Sequence, residues 1–173
     1  RIAGVIRRAE ADLAALQEVD QGVARTQRRD LPAELAALTG LTCVFSNNYH
    51  FQGGFYGNAV LSRLPILGWT NRHYRMVRPG EQRGLLQVTV AVGKQRLRFC
   101  ATHIDYRPDD TERIQNVAEI RDVVAADPGV PTVLAGDFND RPDSRVHRAM
   151  KEFAPDAWEV GGHGDGFTIP AGQ

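Results

Sequence analysis

The 173 residues, of which 42% are hydrophobic, are enough for one domain with a sizeable core and too few for two, so we interpret residues 1–173 as a single domain. Lys and Arg total 21 and Asp and Glu also total 21, which excludes a uniformly basic protein but leaves room for a local basic patch. No apolar run reaches the roughly 18 residues of a membrane-spanning helix and no leader peptide precedes the first element, so we expect a soluble protein and favour a cytoplasmic location.

The N-terminal elements are a helix, a buried strand and a second helix. Apolar residues recur at helical spacing over residues 1–10, with charged residues between them, which predicts an amphipathic helix. The apolar run LAAL at 13–16 predicts a strand buried on both faces, with Glu18 beyond its far end. A polar, basic loop over 21–30 leads to a short helix over 31–40, which has a Pro near its start and a Gly at its end.

The middle of the chain is predicted to be rich in strands. Gly-rich and Pro-containing segments divide it into short β-prone runs. Cys43 and Cys100 lie in two of these runs, where we expect them to be small buried hydrophobes without a disulfide. The predicted strands cover residues 41–46, 57–62, 84–92 and 96–103.

The C-terminal third alternates helix, strand and helix. A stripe of Ile and Val predicts a helix over 111–126, VPTVLAG at 130–136 predicts another buried strand, and a helix is predicted over 144–153. We interpret the tail over 159–173 as a loop. Helix and strand units at both ends, with strand pairs between them, indicate a mixed α/β fold in which helices cover sheets.

Polar side chains that suit metal and phosphate chemistry follow three of the apolar runs. LAAL leads to Glu18, LRFCAT leads to His103 and Asp105, and TVLAG leads to Asp137 and Asn139. Residues at the carboxyl ends of strands tend to converge on one crevice in layered α/β folds. Carboxylates suit Mg²⁺, which keeps several waters and can stabilise the charge that develops on a phosphoryl group.

Each of these residues also has a simpler interpretation. A lone Glu18 is commonly solvated, a lone His103 is commonly just hydrogen-bonded, and the Asp and Asn of GDFND are frequent in turns. In the functional interpretation, Val133 and Leu134 point inward and anchor a rigid strand. His103 is then a proton donor or phosphate contact, and Asn139 is a neutral hydrogen-bond partner.

Five segments of the chain resemble the successive motifs of the endonuclease/exonuclease/phosphatase superfamily, to which deoxyribonuclease I belongs. They occur in the order of the family and span nearly the whole chain. The resemblance implies a four-layered α/β/β/α sandwich, with two mixed β-sheets flanked by helices, and Mg²⁺-dependent cleavage of a phosphate ester, with Mn²⁺ as an alternative ion. The segments are LQEVD (16–20), GNAVLSR (57–63), QRGLLQVTV (82–90), ATHID (101–105) and LAGDFNDRPDS (134–144).

The resemblance also implies roles for individual residues. Glu18 resembles the metal-binding glutamate of the family, and Asp137 resembles the aspartate that positions or activates the attacking water. Asn139 resembles the amide that contacts the phosphate, and His103 occupies the place of a catalytic or phosphate-contacting histidine. The resemblance also implies that Asn58 and Arg83 bind substrate.

The chain departs from the family pattern at both ends, so we expect a domain that is truncated at each. It opens on Arg1 within a helical pattern, without the Asn-bearing strand that precedes this helix in the family. It stops before the family's last aspartate-bearing strand and its Ser-Asp-His segment. His163 and Asp165 are weak substitutes, because a Gly-rich loop holds catalytic geometry poorly. A catalytically inactive binding module of the same fold is therefore an alternative to an enzyme.

Two further questions stay open at the level of sequence. GDFNDR at 136–141 also fits a motif of calcineurin-like two-metal phosphoesterases, but their Asp-x-His and Gly-Asn-His-Asp/Glu segments do not occur here. The substrate and the oligomeric state are undetermined, and nucleic acid is one candidate partner. Basic loops could contact it, although solvated loop charge is the simpler interpretation. The residues concerned are Arg25, Arg28 and Arg29 in one loop, and Arg72, His73, Tyr74, Arg75 and Arg78 in another.

Overall fold

A computed structural model describes residues 1–164, Gly166 and Thr168. Within these residues the chain forms five α-helices and seven strands; Asp165 lies outside them. The helices are α1 (Ile2–Arg8), α2 (Leu31–Thr39), α3 (Thr111–Ala125), α4 (Arg145–Lys151) and α5 (Ala157–Gly161). The strands are β1 (Leu13–Gln21), β2 (Thr42–Phe51), β3 (Gly54–Ser62), β4 (Ile66–His73), β5 (Gly84–Val92), β6 (Gln95–His103) and β7 (Thr132–Asp137).

The strands form two sheets. The first sheet has the order β1-β3-β2 and is antiparallel throughout. The second sheet has the order β4-β5-β6-β7; β4, β5 and β6 run antiparallel to one another, whereas β7 runs parallel to β6. A parallel pair requires a crossover, and α3 lies within the segment that connects β6 to β7.

Alternating side chains build three apolar layers between four layers of secondary structure. In β5, Leu85 belongs to the cluster packed under α3 and α4, whereas Leu86 belongs to the cluster between the two sheets. In β3, Val60 joins the cluster between the sheets and Leu61 joins the one under α1 and α2. Successive residues of a strand point to opposite faces, so both sheets are covered on both sides. The predicted α/β/β/α sandwich is therefore confirmed.

The predicted helices over 1–10, 31–40, 111–126 and 144–153 all form, with ends shifted by up to two residues. The four predicted middle strands form as well, as β2, β3, β5 and β6. Cys43 and Cys100 are free thiols, as expected.

Three predictions about local structure were wrong. β4 was not predicted, because it lies at an edge of the second sheet, keeps most of its side chains exposed and therefore lacks an apolar signature. Residues 157–161 form the short helix α5, whose first turn is capped by the Asp156 carboxylate, although the tail from 159 was interpreted as a loop. Val133 does not point into the core, because 44% of it is exposed on β7, the last strand in the described order of the second sheet.

Among the described residues, no helix combines the length and the apolar character needed to cross a membrane.

Candidate functional site

A cleft opens where the two sheets meet, at the ends of strands from both. Four of the six predicted site residues line it together, namely Glu18, Asn58, Arg83 and His103. Of the other two, Asp137 is the last residue of β7 and pairs with His103, and Asn139 follows two residues later. Segments more than 100 residues apart in the chain therefore supply one site. The remaining lining residues are Asn48, Tyr56, Gly57 and Gln82.

Glu18 reaches the cleft through an irregularity of β1. The pairing of β1 with β3 shifts register between Leu16 and Val19, as at a β-bulge. Glu18 has a φ of 59°, in the left-handed region that costs an L-residue about 1–2 kcal/mol. Such bulges redirect a side chain and are common beside active sites. The exposed carboxylate of Glu18 is thus held at the cleft by a strained backbone.

Tyr56 is the neighbour of Glu18 on the cleft wall. Burial and the adjacent Glu18 carboxylate raise the pKa of the Tyr56 phenol, so it keeps its proton and can donate toward that carboxylate. Tyr56 was not among the predicted site residues. A signal was present, because Tyr56 lies two residues before Asn58 in the same strand and therefore shares its face.

His103 is a buried, neutral imidazole. The side chain is 4% exposed, and the Nη1 group of Arg83 donates a hydrogen bond of 2.7 Å to its Nδ1. Burial and the Arg83 charge lower the pKa of His103 to about 4, and the opposing effects of Asp137 and Glu18 are smaller. The Nε2 atom lies 3.9 Å from Oδ2 of Asp137. The imidazole therefore presents Nε2 to the cleft in an uncharged form.

Asp137 and Asn139 form a tight turn after β7. The backbone N–H of Asn139 donates to Oδ1 of Asp137 at 2.9 Å, and the Asn139 side chain donates from Nδ2 to the carbonyl oxygen of Ile104 at 3.1 Å. Asn139 has a φ of 45°, which asparagine tolerates better than most residues. Only one carboxylate oxygen of Asp137 is used in this turn, and its side chain is 53% exposed. The second oxygen is available to a ligand or water.

Asn58 holds the two sheets together at the cleft. Its Nδ2 donates to the carbonyl oxygens of Gly84 and Ala101, at 3.1 and 3.3 Å, and the residue is 1% exposed. Both amide hydrogens are therefore used within the fold. The neighbouring Gly57 has no room for a side chain, because a Cβ there would lie 1.8 Å from the carbonyl oxygen of Ser46. Substrate binding by Asn58 stays a prediction. Only the side-chain carbonyl oxygen of Asn58 is left to make such a contact.

Most of the basic side chains in the two segments named as candidate nucleic-acid contacts are paired within the molecule; Arg72 and His73 lie on β4 rather than in the expected loop. Asp20, which is buried, binds Arg25 through both carboxylate oxygens. Tyr74 is buried rather than presented to solvent. Within the described part of the chain, Arg28 and Arg75 make no ion pair. The other paired residues are Arg29 with Glu34, Arg72 with Glu119 and Arg78 with Asp109, while His73 contacts the carbonyl oxygen of Asn47.

A second group of potential metal ligands lies outside the cleft, on α4 and α5. The ligand atoms of His147, Asp156 and Glu159 lie within 4.8 Å of one another. The ammonium group of Lys151 binds both oxygens of Glu159, at 2.8 and 2.9 Å. These contacts form an ion-pair network that ties α5 to α4, and the network contains none of the predicted site residues.

Comparison of the sequence with protein-family models gives a match to the Endonuclease/Exonuclease/phosphatase family over residues 1–172. Among curated proteins, YbhP of Escherichia coli is 32% identical over 99 residues, which are 56% of this chain and 38% of YbhP. The chain thus aligns with about two fifths of that relative.

Solved structures of the same fold include proteins from bacteria and from humans. An endonuclease/exonuclease/phosphatase from Beutenbergia cavernae superposes with a TM-score of 0.68 at 26% identity, over 88% of this chain and 46% of the other. The catalytic domain of human Nocturnin superposes with a TM-score of 0.71 at 17% identity, over 92% of this chain and 64% of the other. At that identity the second likeness concerns the fold alone.

Proposed function

The chain belongs to the endonuclease/exonuclease/phosphatase family, and we propose that its cleft hydrolyses a phosphate ester with the help of a divalent metal ion. The observation that supports this most is the meeting of Glu18, His103 and Asp137 at one cleft from three distant strands. Each residue alone has an ordinary explanation. One catalytic site explains all three features together better than three separate structural reasons do. The features are a strained glutamate, a neutral histidine and an acidic turn.

Glu18 would hold the metal ion. Its exposed carboxylate offers the hard oxygen ligands that Mg²⁺ prefers, and one or two protein carboxylates commonly suffice because waters and substrate phosphate complete the shell. Mn²⁺ suits the same donors. When bound, such an ion neutralises charge on the phosphoryl oxygens. The φ of 59° fits this role, because a strained backbone is retained where a side chain must point in one direction.

Asp137 would prepare the attacking water. Its Oδ1 is fixed by the Asn139 N–H, so the exposed carboxylate has a defined orientation and a second oxygen free to accept a proton. Asn139 and His103 would donate hydrogen bonds to phosphate oxygens, where they stabilise negative charge. Asn58 and Arg83 complete the wall of the cleft on the substrate side.

The substrate would be a phosphodiester or a phosphomonoester, with nucleic acid as one candidate. Within the described residues, four of the six arginines in the two segments named as candidate nucleic-acid contacts are ion-paired, which supports a compact ester over a long duplex. The family match supports this mechanism over that of a calcineurin-like two-metal phosphoesterase.

The test is an assay of residues 1–173, and of a longer protein that contains them, on phosphomonoesters, phosphodiesters and nucleic acids. We expect turnover that requires Mg²⁺ or Mn²⁺ and is abolished by EDTA in at least the longer protein. If both proteins are inert on all three substrate classes with either ion, the hydrolase proposal fails and the alternative of a binding module stands.

A further inference from the structure

Arg83 and His103 form a contact that the proposed roles do not explain. Both are buried, at 7% and 4% exposure, and their side chains meet at 2.7 Å inside the cleft wall. A charged guanidinium beside an imidazole is unfavourable if the imidazole is also charged. The contact therefore restricts the protonation of His103.

The direction of this hydrogen bond follows from the chemistry of the two groups. An arginine side chain has five N–H donors, no acceptor, and does not lose its proton in proteins. The Nδ1 atom of His103 must therefore accept from Arg83, which leaves the ring proton on Nε2. Nε2 is the atom that faces Asp137, at 3.9 Å from its Oδ2.

Arg83 is itself held in place by two contacts. Its Nη1 lies 3.0 Å from Oε1 of Glu81, and its guanidinium carbon lies 5.6 Å from the ring centre of Tyr106. These groups approach from the loop before β5 and from the segment after β6. The guanidinium thus has a charged and an aromatic neighbour besides His103, and within the described residues its Nε has no hydrogen-bond partner.

We propose that Arg83 is a positioning residue that fixes His103 as the neutral imidazole with its proton on Nε2, so that His103 donates a hydrogen bond to the phosphate. The proposal rests on the hydrolase function proposed above. It changes the role expected for Arg83, which acts through His103 rather than by touching substrate.

A consequence is that His103 is not the general base. Its Nδ1 lone pair is taken by Arg83 and its Nε2 already carries a proton, so neither nitrogen can accept a proton from water. The charged groups that face the imidazole from other elements are Glu18 on β1 and Asp137 at the end of β7. Proton acceptance from water then falls to Asp137.

The experiment is ¹⁵N NMR of the histidine rings at pH 6 to 8, with and without Mg²⁺, in the wild type and in Arg83→Met. The His103 signals are assigned by their absence from His103→Gln. We expect one neutral tautomer, protonated on Nε2, in the wild type, and a mixture of tautomers in Arg83→Met. Arg98→Met is the matched control, because Arg98 is equally buried in β6 but contacts Val123 and Asp127.

A wild-type ring protonated on Nδ1, or on both nitrogens, overturns the proposal even if Arg83→Met fails to fold. An unchanged tautomer in a folded Arg83→Met also overturns the proposal. If Arg83→Met does not fold, Arg83→Lys is the second variant for the same comparison. These spectra need no turnover, so they decide the question even if the hydrolase proposal fails.

Kinetics separate positioning from direct substrate binding in an active protein. We expect Arg83→Met to lower kcat with little change in KM, by less than the roughly 100- to 1000-fold that loss of a whole aligned donor costs, because part of the tautomer mixture still carries the proton on Nε2. A rise in KM at constant kcat would instead indicate that Arg83 binds the substrate directly, and would overturn the proposal.

Discussion

His103 and Asp137 lie opposite each other in the parallel pair of β6 and β7, and Nε2 of the imidazole is 3.9 Å from Oδ2 of the carboxylate. This separation is too long for a direct hydrogen bond. The two groups therefore remain free to contact a shared ligand between or above them.

Replacing Asp137 by Asn should abolish hydrolysis while leaving the fold intact. The amide cannot accept a proton from water, so we expect kcat to fall by at least about 100-fold. Because the side chain is 53% exposed, the melting temperature should change little. Asp143→Asn is the control, since it removes an exposed carboxylate from the same segment. Equal activity of Asp137→Asn and the wild type would contradict the role of Asp137.

Replacing Glu18 by Gly should stabilise the protein and inactivate it. Glycine adopts a φ of 59° without the side-chain penalty, which outweighs its greater flexibility in the unfolded chain by about 0.5–1 kcal/mol. The same change removes the proposed metal ligand, so Mg²⁺ binding measured by calorimetry should be lost.

The control for this prediction is Glu10→Gly. Glu10 has a φ of 48° just after α1 and is not part of the cleft, so the substitution should stabilise the fold to a similar degree with activity retained. A destabilised Glu18→Gly in denaturant melts, or one that binds Mg²⁺ normally, would refute the functional explanation of the strain.

The sequence predicted the fold well where both faces of an element are buried. β3, β5 and β6 are rich in apolar residues that are buried on both faces, and this enrichment is visible in the sequence whichever strands lie beside them. β4 and Val133 were misjudged for the opposite reason. Their exposure depends on which strands lie at the edge of a sheet, and strand order is set by long-range pairing that a local pattern does not record.

The sequence indicated which of the site side chains lie near one another, but not the contacts between them. The rule that strand ends converge predicts that Glu18, His103 and Asp137 lie close together; Glu18 and His103 line one cleft, and Asp137 lies beside His103. The bond from Arg83 to Nδ1 of His103 joins residues 20 positions apart, and its direction depends on side-chain conformation. The pairing of Arg25 with Asp20 depends likewise on how the loop after β1 folds back.

The free energy of unfolding should decrease as the pH is lowered from about 6.5 to 4, because of His103. In the unfolded chain the pKa is close to 6.5, while in the folded protein it is about 4. Between these values the unfolded state binds the extra proton, so the free energy of unfolding decreases as the pH falls, by about 3 kcal/mol in total. Above pH 6.5 the His103 imidazole is neutral in both the folded and the unfolded state, so its contribution to the pH dependence of stability vanishes. Denaturant melts of the wild type and His103→Gln measure it; identical pH slopes would rule it out.

Freeing one surface arginine should strengthen binding to nucleic acid. The guanidinium of Arg78 donates two hydrogen bonds of 2.9 Å to Asp109 at the surface, which offsets its charge. Asp109→Asn removes that partner, so affinity for single-stranded DNA should rise and the slope of log Kobs against log salt should steepen by about 0.7. Fluorescence anisotropy over a range of salt concentrations measures the slope. Asp143→Asn makes the same change in net charge elsewhere, and an equal gain in that control would show that total charge, rather than the release of Arg78, governs binding.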